Sequence, residues 1–488
     1  MINIDYTEKM KKLGPIPEDM RTFWIRDDLA RVEARMPYCL QCIKEGREIV
    51  AALDDMAQII GPRVRIVPDD DLEIAKALTT SAAVLVDAEQ IVGSSLSGDA
   101  PSGNLPISGS SMDGKARRDQ DYVVATGRDP YEAFVALTVL EKAAEVQIIS
   151  DALGGVRPIP ERIARKERRE YLNKYSKPGR DRREQEFFDF GGSHANTEIS
   201  ELSMNSESPN EPIESHNGLE SISDDSFVNT SSNILEEFKE RRNLVDYGKK
   251  LVEKKLVQGT WGNLSVRLDN VSDNASDEGY MLVTPSGLDY DSLGPEDMVK
   301  VDLESLDYDK SGNKPTTEMG LHAGIYNNRP DIGAIIHTHS KYCSVFAACG
   351  FPIDVMDDYL ADEVAGDVIH VAEYGVSGSE ILTRNVVKAL GGAIEKNSTG
   401  EEGDIANDFK MIFYGRRGCI LSNHGMIACA ADLDTAMEVA IAMEEAARQQ
   451  INRRLDKLID HKNSQKSNDN APATLQNPIM IVDVKEEE

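Results

Sequence analysis

From Ile234 to Leu256 apolar residues recur every three or four positions among charges, which predicts a helix with one buried stripe. Gly259-Thr-Trp-Gly-Asn-Leu-Ser-Val-Arg267 reads as a turn entering a strand, and Met281-Leu-Val283 as a short strand stopped by the turn signal Pro285-Ser-Gly287. Thr317 to Asn328 has helical spacing, with Met319, Ala323 and Tyr326 on one face, and ends before Pro330. Ala334 to His339 predicts a buried strand, and Gly418 to Cys429 a strand pair broken by a tight turn. Asp432 is then placed to cap a helix whose Ala436, Val439, Ala440, Met443, Ala447 and Ile451 share one buried face. Strands and helices interleave, so residues 234–456 are predicted to form a layered α/β domain.

The preceding chain repeats part of this pattern. Shifted by 304 positions, Tyr38 to Pro68 aligns without a gap on Tyr342 to Ala372, matching Tyr38 with Tyr342, Cys39 with Cys343 and Asp54 with Asp358. Shifted by 303, Asp129 to Ile148 aligns on Asp432 to Ile451, matching Glu141 with Glu444 and Gln147 with Gln450. The blocks keep their order, so residues 1–160 are read as a partial, diverged copy. Residues 161–233 are assigned to a basic helix and a linker, whose Ser, Asn and Glu-rich stretch from about residue 193 has too little apolar surface to offset ordering entropy. Residues 457–488 are read as a flexible tail.

Charge and composition narrow the classes. The 488 residues carry 85 Asp and Glu against 54 Lys and Arg, a formal charge of −31, which disfavours a nucleic-acid partner. The basic run from Arg157 to Arg183 is read as solvated surface. Six cysteines make no disulfide framework, the start lacks a signal-peptide core, and no apolar run reaches the roughly 20 residues of a membrane span; a cytoplasmic protein is expected. Cys39-Leu-Gln-Cys42 is a solitary pair and weak evidence for redox or zinc chemistry.

Histidines supply the candidate chemistry. His337 and His339 stand two apart in an apolar strand, so both rings leave the same face. His424 precedes Gly425 at a strand end, and three histidines with an open position suit a catalytic zinc site; two satisfied core histidines would give the same His-x-His pattern. His322 and His370 are expected to be structural or core.

Asn263 within Gly262-Asn-Leu-Ser265, Thr284-Pro-Ser-Gly287, Thr316-Thr-Glu318, His337-Thr-His339 and Asn423-His424-Gly425 occur in the order and approximate spacing of the class II aldolase/adducin family, which residues 234–456 resemble. The resemblance implies a three-layer α/β/α domain around a mostly antiparallel sheet and a homo-oligomer with active sites at subunit interfaces. It implies that His337, His339 and His424 ligate Zn2+, or another divalent ion such as Mn2+ or Co2+. Glu318 is then the acid/base carboxylate, provided its environment brings its pKa toward the working range, although a first-turn glutamate can also simply face a helix dipole. Asn263, Thr284, Gly287, Thr316 and Thr317 match phosphate-holding positions, where turn and cap roles would select similar residues. Asp357, Asp358 and Tyr359 lie near a segment from which relatives draw a further proton-transfer group.

The implied activity is a lyase that cleaves or forms a carbon–carbon bond in a small phosphorylated sugar-type hydroxycarbonyl substrate through an enediolate. A pentulose-phosphate 4-epimerase or a non-enzymatic adducin-like scaffold are the alternatives. No tyrosine follows Tyr414, where aldolases of the family use one in the C-terminal tail, and Lys396 to Asp404 is inserted before the third histidine, which leaves substrate choice open. In the first copy Glu33, Arg35 and Asp121 stand where the histidines would be, so that copy is expected to be a non-catalytic partner.

Overall fold

The computed structural model describes residues 7–11, 13–26, 29–89, 120–175, 224–257, 261–268, 279–391 and 415–468. Its first half runs α1 (Thr7–Lys11), β1 (Arg21–Arg26), β2 (Leu29–Ala34), α2 (Pro37–Lys44), β3 (Ile49–Val50), α3 (Asp54–Ile59), β4 (Arg63–Val64), β5 (Ile66–Pro68), α4 (Asp71–Leu78), β6 (Ala83–Asp87), β7 (Tyr122–Gly127), α5 (Pro130–Ser150) and α6 (Glu161–Tyr175). The second runs α7 (Asp224–Glu253), β8 (Asn263–Leu268), β9 (Tyr280–Val283), β10 (Val299–Asp302), α8 (Met319–Asn328), β11 (Ala334–Thr338) and α9 (Lys341–Cys349). It continues through β12 (Ile353–Asp354), α10 (Asp358–Val364), β13 (Val368–Ala372), α11 (Glu380–Ala389), β14 (Gly418–Leu421), β15 (Met426–Ala430) and α12 (Leu433–Asn468).

The second half is a three-layer α/β/α domain. Its sheet has the order β10-β9-β8-β11-β15-β14-β13-β12, and every neighbouring pair is antiparallel except β13 with β14. Alternation along β11 sends Ala334 and Ile336 into a core with Leu244 and Leu251 of α7, Phe346 of α9 and Met443 of α12. Ile335 enters the opposite core, with Ile325 and Tyr326 of α8 and Leu382 and Val386 of α11. Each fully buried aliphatic or Phe side chain contributes about 1.5–3 kcal/mol of transfer free energy, so β11, buried on both faces, is firmly held. His337 continues the Ile335 side of that alternation.

The first half has a sheet of order β1-β2-β7-β6-β5, and the corresponding stretch of the second is β8-β11-β15-β14-β13. Registers agree as well: Ala30 lies opposite Gly127 as Ala334 lies opposite Ala430. The residues shared in the sequence alignment make the same bonds. Glu141 accepts from the Tyr38 and Cys39 amides at 2.8 and 3.1 Å, and Glu444 accepts from the Tyr342 and Cys343 amides at 2.7 and 2.9 Å. Each glutamate satisfies orphan first-turn donors of a helix distant in sequence. Gln147 accepts from the Val50 amide at 3.0 Å as Gln450 does from Asp354 at 2.7 Å. The halves also share apolar packing, since Ala52, Leu53 and Val146 belong to the core cluster of Cys343 and Phe346.

Several boundaries differ from the sequence reading. Helix α7 begins at Asp224, inside the expected linker, and α12 runs to Asn468, past the expected start of the tail. An amphipathic helix extends through a polar stretch when its neighbouring turns are already held by packing. Helix α6 is not merely solvated: Ala164 is fully buried, and Arg168 donates to the Gln58 and Ile59 carbonyls of α3, so α6 belongs with the first half. Cys39 and Cys42 are buried free thiols, and burial pushes Cys42 up to about 12, which removes the thiolate that redox or metal chemistry needs. His370 is half-buried on β13 and not a core residue. Among the described residues no helix is long and apolar enough to cross a membrane. The insertion from Lys396 to Asp404 lies outside the described residues, as does most of the linker.

Candidate metal centre and active site

His337 is the penultimate residue of β11, His339 lies just beyond the strand, and His424 sits in the turn between β14 and β15. β11 and β15 pair antiparallel, with Thr338 opposite Met426, so the turn carrying His424 closes over the end of β11. Their side-chain nitrogens converge: His337 Nε2 lies 3.0 Å from His339 Nε2 and 3.0 Å from His424 Nε2. The three ring centroids are 4.8–4.9 Å apart. His337 Nδ1 donates to the Met426 carbonyl at 2.8 Å, which leaves Nε2 as the lone-pair nitrogen facing the cluster. Zinc–nitrogen bonds of about 2.0–2.1 Å at tetrahedral angles separate ligand nitrogens by about 3.3 Å, close to the spacing found here.

Close backbone approach makes this possible. A Cβ on Gly425 would lie 2.4 Å from the Thr338 carbonyl oxygen and 3.0 Å from the His339 ring. Gly262 has φ of +107°, and a Cβ there would lie 2.6 Å from the His337 carbonyl oxygen. Asn423 also occupies the left-handed region, with φ of 60°, a conformation that Asn tolerates better than most residues.

Glu318, the residue before α8, is 5% exposed and bridges the cluster, with Oε2 3.0 Å from His337 Nε2 and Oε1 3.1 Å from His424 Nε2. Burial alone would raise its pKa, but His337 and His424 hold the carboxyl well below its usual range. It rests as a carboxylate, the proton-accepting form. His424 is the converse: burial opposes its charge, yet Asp54 and Glu318 push the imidazole well above its usual value. Burial lowers His339 to about 4, which keeps it neutral and ligand-competent.

A directed chain of hydrogen bonds supports Glu318. Burial lowers His322 to about 3, so its ring is neutral, with Nε2 2.5 Å from Asn263 Oδ1 and Nδ1 2.6 Å from Ser265 Oγ. Asn263 Nδ2 donates to Glu318 Oε2 at 3.0 Å, and the Tyr326 hydroxyl lies 2.8 Å from Ser265 Oγ. One orientation satisfies every group: Tyr326 to Ser265, Ser265 to His322 Nδ1, His322 Nε2 to Asn263, and Asn263 to the carboxylate. Ser377 donates to the other Glu318 oxygen at 3.2 Å. His322 is thus structural, as its sequence position suggested, and both ends of the Asn263 amide are committed inside the protein.

The other expected anion-holding positions divide. The 284–287 and 314–317 segments run side by side, with the Thr316 amide donating to Thr284 at 3.1 Å and the Ser286 amide to Lys314 at 2.9 Å. Gly287 and Thr317 are exposed there, and Gly287 has a φ of +79° with open space where a Cβ would stand. Thr284 is buried, and its hydroxyl accepts from the Leu264 amide at 3.1 Å. Thr316 is also buried, its hydroxyl 3.4 Å from the Glu318 amide. Gly287 and Thr317 face outward; Asn263, Thr284 and Thr316 hold the frame.

In the first half the positions aligned with the histidines do not converge. Glu33 pairs with Arg31 at 2.6 Å, Arg35 donates to Gln120 at 2.7 Å, and Asp121 accepts from the Ala88 amide at 3.0 Å. Among the described residues the grouping suited to a metal ion is His337, His339 and His424.

The sequence profile described as the Class II Aldolase and Adducin N-terminal domain matches residues 242–451, a span that contains Glu318 and the three histidines. Over 209 residues the chain is 32% identical to a 5-methylthioribulose-1-phosphate/5-deoxyribulose-1-phosphate aldolase of Rhodospirillum rubrum, covering 43% of this chain and 79% of that protein. The chain belongs to the class II aldolase and adducin family. It is also 28% identical over 214 residues to an L-fuculose phosphate aldolase of Escherichia coli, covering 44% of this chain and 83% of that one. An L-ribulose-5-phosphate 4-epimerase of Salmonella paratyphi C is 28% identical over 197 residues, covering 40% of this chain and 75% of that protein.

Sequence reasoning missed two things in this class II aldolase family member. Ser377 gave no signal, being one hydroxyl in a loop. Asp54 and Asp55 did give one: two adjacent acids in the apolar run Ile49-Val-Ala-Ala-Leu-Asp-Asp-Met-Ala57 are costly unless paired.

Proposed function

We propose that this class II aldolase family member is a metal-dependent lyase acting on a small phosphorylated sugar-type hydroxycarbonyl compound. The observation that carries the reading is the convergence of His337, His339 and His424 on one point with the Glu318 carboxylate against it. Three imidazoles and an adjoining carboxylate fit Zn2+, and also Mn2+ or Co2+. When bound, such an ion supplies Lewis-acid stabilisation of the negative charge that develops beside a carbonyl during carbon–carbon cleavage. Glu318, held as a carboxylate by its neighbours, accepts or returns a proton at the reacting carbon or hydroxyl. Asn263 and Ser377 fix the two oxygens of Glu318 so that its direction is set before substrate arrives. Gly287 and Thr317, exposed on adjacent turns, are placed to receive a phosphate, with Asn263, Thr284 and Thr316 holding those turns in position.

The repeated topology supports reading the first half as a diverged, non-catalytic copy that serves as a built-in partner, and the assembly as a homo-oligomer. The likeness to both aldolases and an epimerase keeps a 4-epimerase as the second reading, since both reactions need the same ion and base. A metal-binding carboxylate–histidine cluster counts against a scaffold without chemistry. The test is a screen of phosphorylated ketoses, and of aldehyde acceptors with a three-carbon phosphate, for cleavage or condensation. Glu318→Gln should retain the metal and lose exchange of a substrate carbon-bound proton with solvent by about 10²–10⁴-fold. Full exchange in that variant would remove Glu318 from the mechanism.

A further inference from the structure

The first turn of α3 brings two acids of the first half against the histidines of the second. Asp54 Oδ2 lies 2.6 Å from His424 Nδ1, the ring nitrogen turned away from the cluster. Asp55 Oδ2 lies 3.8 Å from His339 Nδ1, and Lys142 of α5 donates to that oxygen at 2.9 Å. Both acids are buried, at 3% and 5% exposure.

The placement is built and not incidental. The Asp54 amide donates to the Asn423 carbonyl at 2.9 Å, one residue before His424. The Asn423 side chain returns two bonds to the first half, to the Ala52 carbonyl at 2.9 Å and the Arg157 carbonyl at 2.8 Å. The Arg157 amide donates to Ala348 at 2.7 Å, and the Asn423 amide to Ala347 at 2.8 Å, so the same strap reaches α9. The left-handed Asn423 is therefore held by the first half on one side and by α9 on the other. In the second half, Asp358, aligned with Asp54, is exposed at the start of α10.

We propose that Asp54 and Asp55 are positioning residues for the metal site: carboxylates of the first half that orient His424 and His339 through Nδ1, so that the centre is complete only when both halves are present. An acceptor at Nδ1 fixes the tautomer with the Nε2 lone pair toward the ion, prevents the ring from turning, and raises its basicity. His337 has its own acceptor in the Met426 carbonyl, while His424 Nδ1 faces Asp54 at 2.6 Å and His339 Nδ1 faces Asp55 across 3.8 Å, a charge contact beyond hydrogen-bond reach. This gives the diverged copy a function that its own Glu33, Arg35 and Asp121 cannot. The inference rests on the metal reading given above.

The experiment uses the full chain, stripped of metal and titrated with Co2+, with the d–d absorption spectrum and a competing chelator as readouts. Loss of an outer-shell carboxylate of this kind weakens metal affinity about 10–100-fold, which is the result expected for Asp54→Ala, with an altered d–d spectrum. Asp54→Asn keeps an acceptor oxygen but not the charge, and should fall between wild type and Asp54→Ala in affinity. Asp55→Ala should weaken binding less than Asp54→Ala, because its carboxylate stands farther from its histidine. Wild-type affinity and spectrum in Asp54→Asn would overturn the proposal, whether or not Asp54→Ala folds. Failure of the wild-type chain to bind Co2+ or Zn2+ would instead overturn the metal reading on which it rests.

Discussion

Asn263→Ala separates two roles for the same residue. As an anion holder, Asn263 would be a surface donor whose loss raises KM and leaves the fold intact. The structure places it 5% exposed, between the Glu318 carboxylate and the neutral His322 ring. Truncation removes a hydrogen bond to a charged group, a contribution of about 1.5–3 kcal/mol, and leaves the fully buried His322 Nε2–H unpaired, at about 1–3 kcal/mol. The two effects concern adjoining groups and need not add in full, so a loss of about 2–5 kcal/mol is expected. Urea unfolding followed by near-UV circular dichroism reads it directly, with Trp261 two residues away as a local reporter. The catalytic signature follows from the same geometry: with Glu318 free to turn, kcat should fall while KM changes little. A destabilisation below about 1 kcal/mol, together with a raised KM and an unchanged kcat, would refute this reasoning and restore the direct anion-binding role.

Three further outcomes are expected. His337→Ala and His339→Ala should each abolish the binding of about one divalent ion per chain, measured by elemental analysis after dialysis; full retention in either would dissolve the proposed centre. Glu167 is raised to about 7, first by burial and then by Asp54, against an ordinary 4.5. The unfolded chain therefore releases this proton more readily, and stability from this group is lost as pH rises from about 4.5 through 7. Glu167→Gln, which keeps an acceptor for the Tyr374 hydroxyl at 2.8 Å, should be neutral near pH 4 and stabilising by about 2 kcal/mol at pH 8; equal effects at both pH values would contradict the assignment. A chain beginning at Asp224 should lose thermal stability and metal retention, because Leu53 and Val146 share the core of Phe346; unchanged behaviour of that shorter chain would sink the partner role of the first half.

What could be read before the structure, and what could not, follows from the range of the interactions. The two-residue period of β11 put His337 and His339 on one face, and Gly425 after His424 marked a turn tight enough to carry a third ring beside them. The alignment of the two halves was legible because Glu141 and Glu444 each accept from first-turn helix amides and Gln147 and Gln450 each accept from a strand amide, so the same letters perform the same backbone bonding. Asn263 and Thr284 were legible as positions but not as roles, since a side chain that binds an anion and one that braces a neighbour have the same letters. Asp54 was hidden for a different reason. Its partner lies 370 positions away, beyond any periodicity, and only the packing of α3 against the turn at Asn423 brings the two together. The alignment matches Asp54 with Asp358, yet one is buried against a histidine and the other is exposed. Docking one half on the other gives aligned positions different surroundings, so a letter shared by two aligned segments can carry two unlike physical tasks.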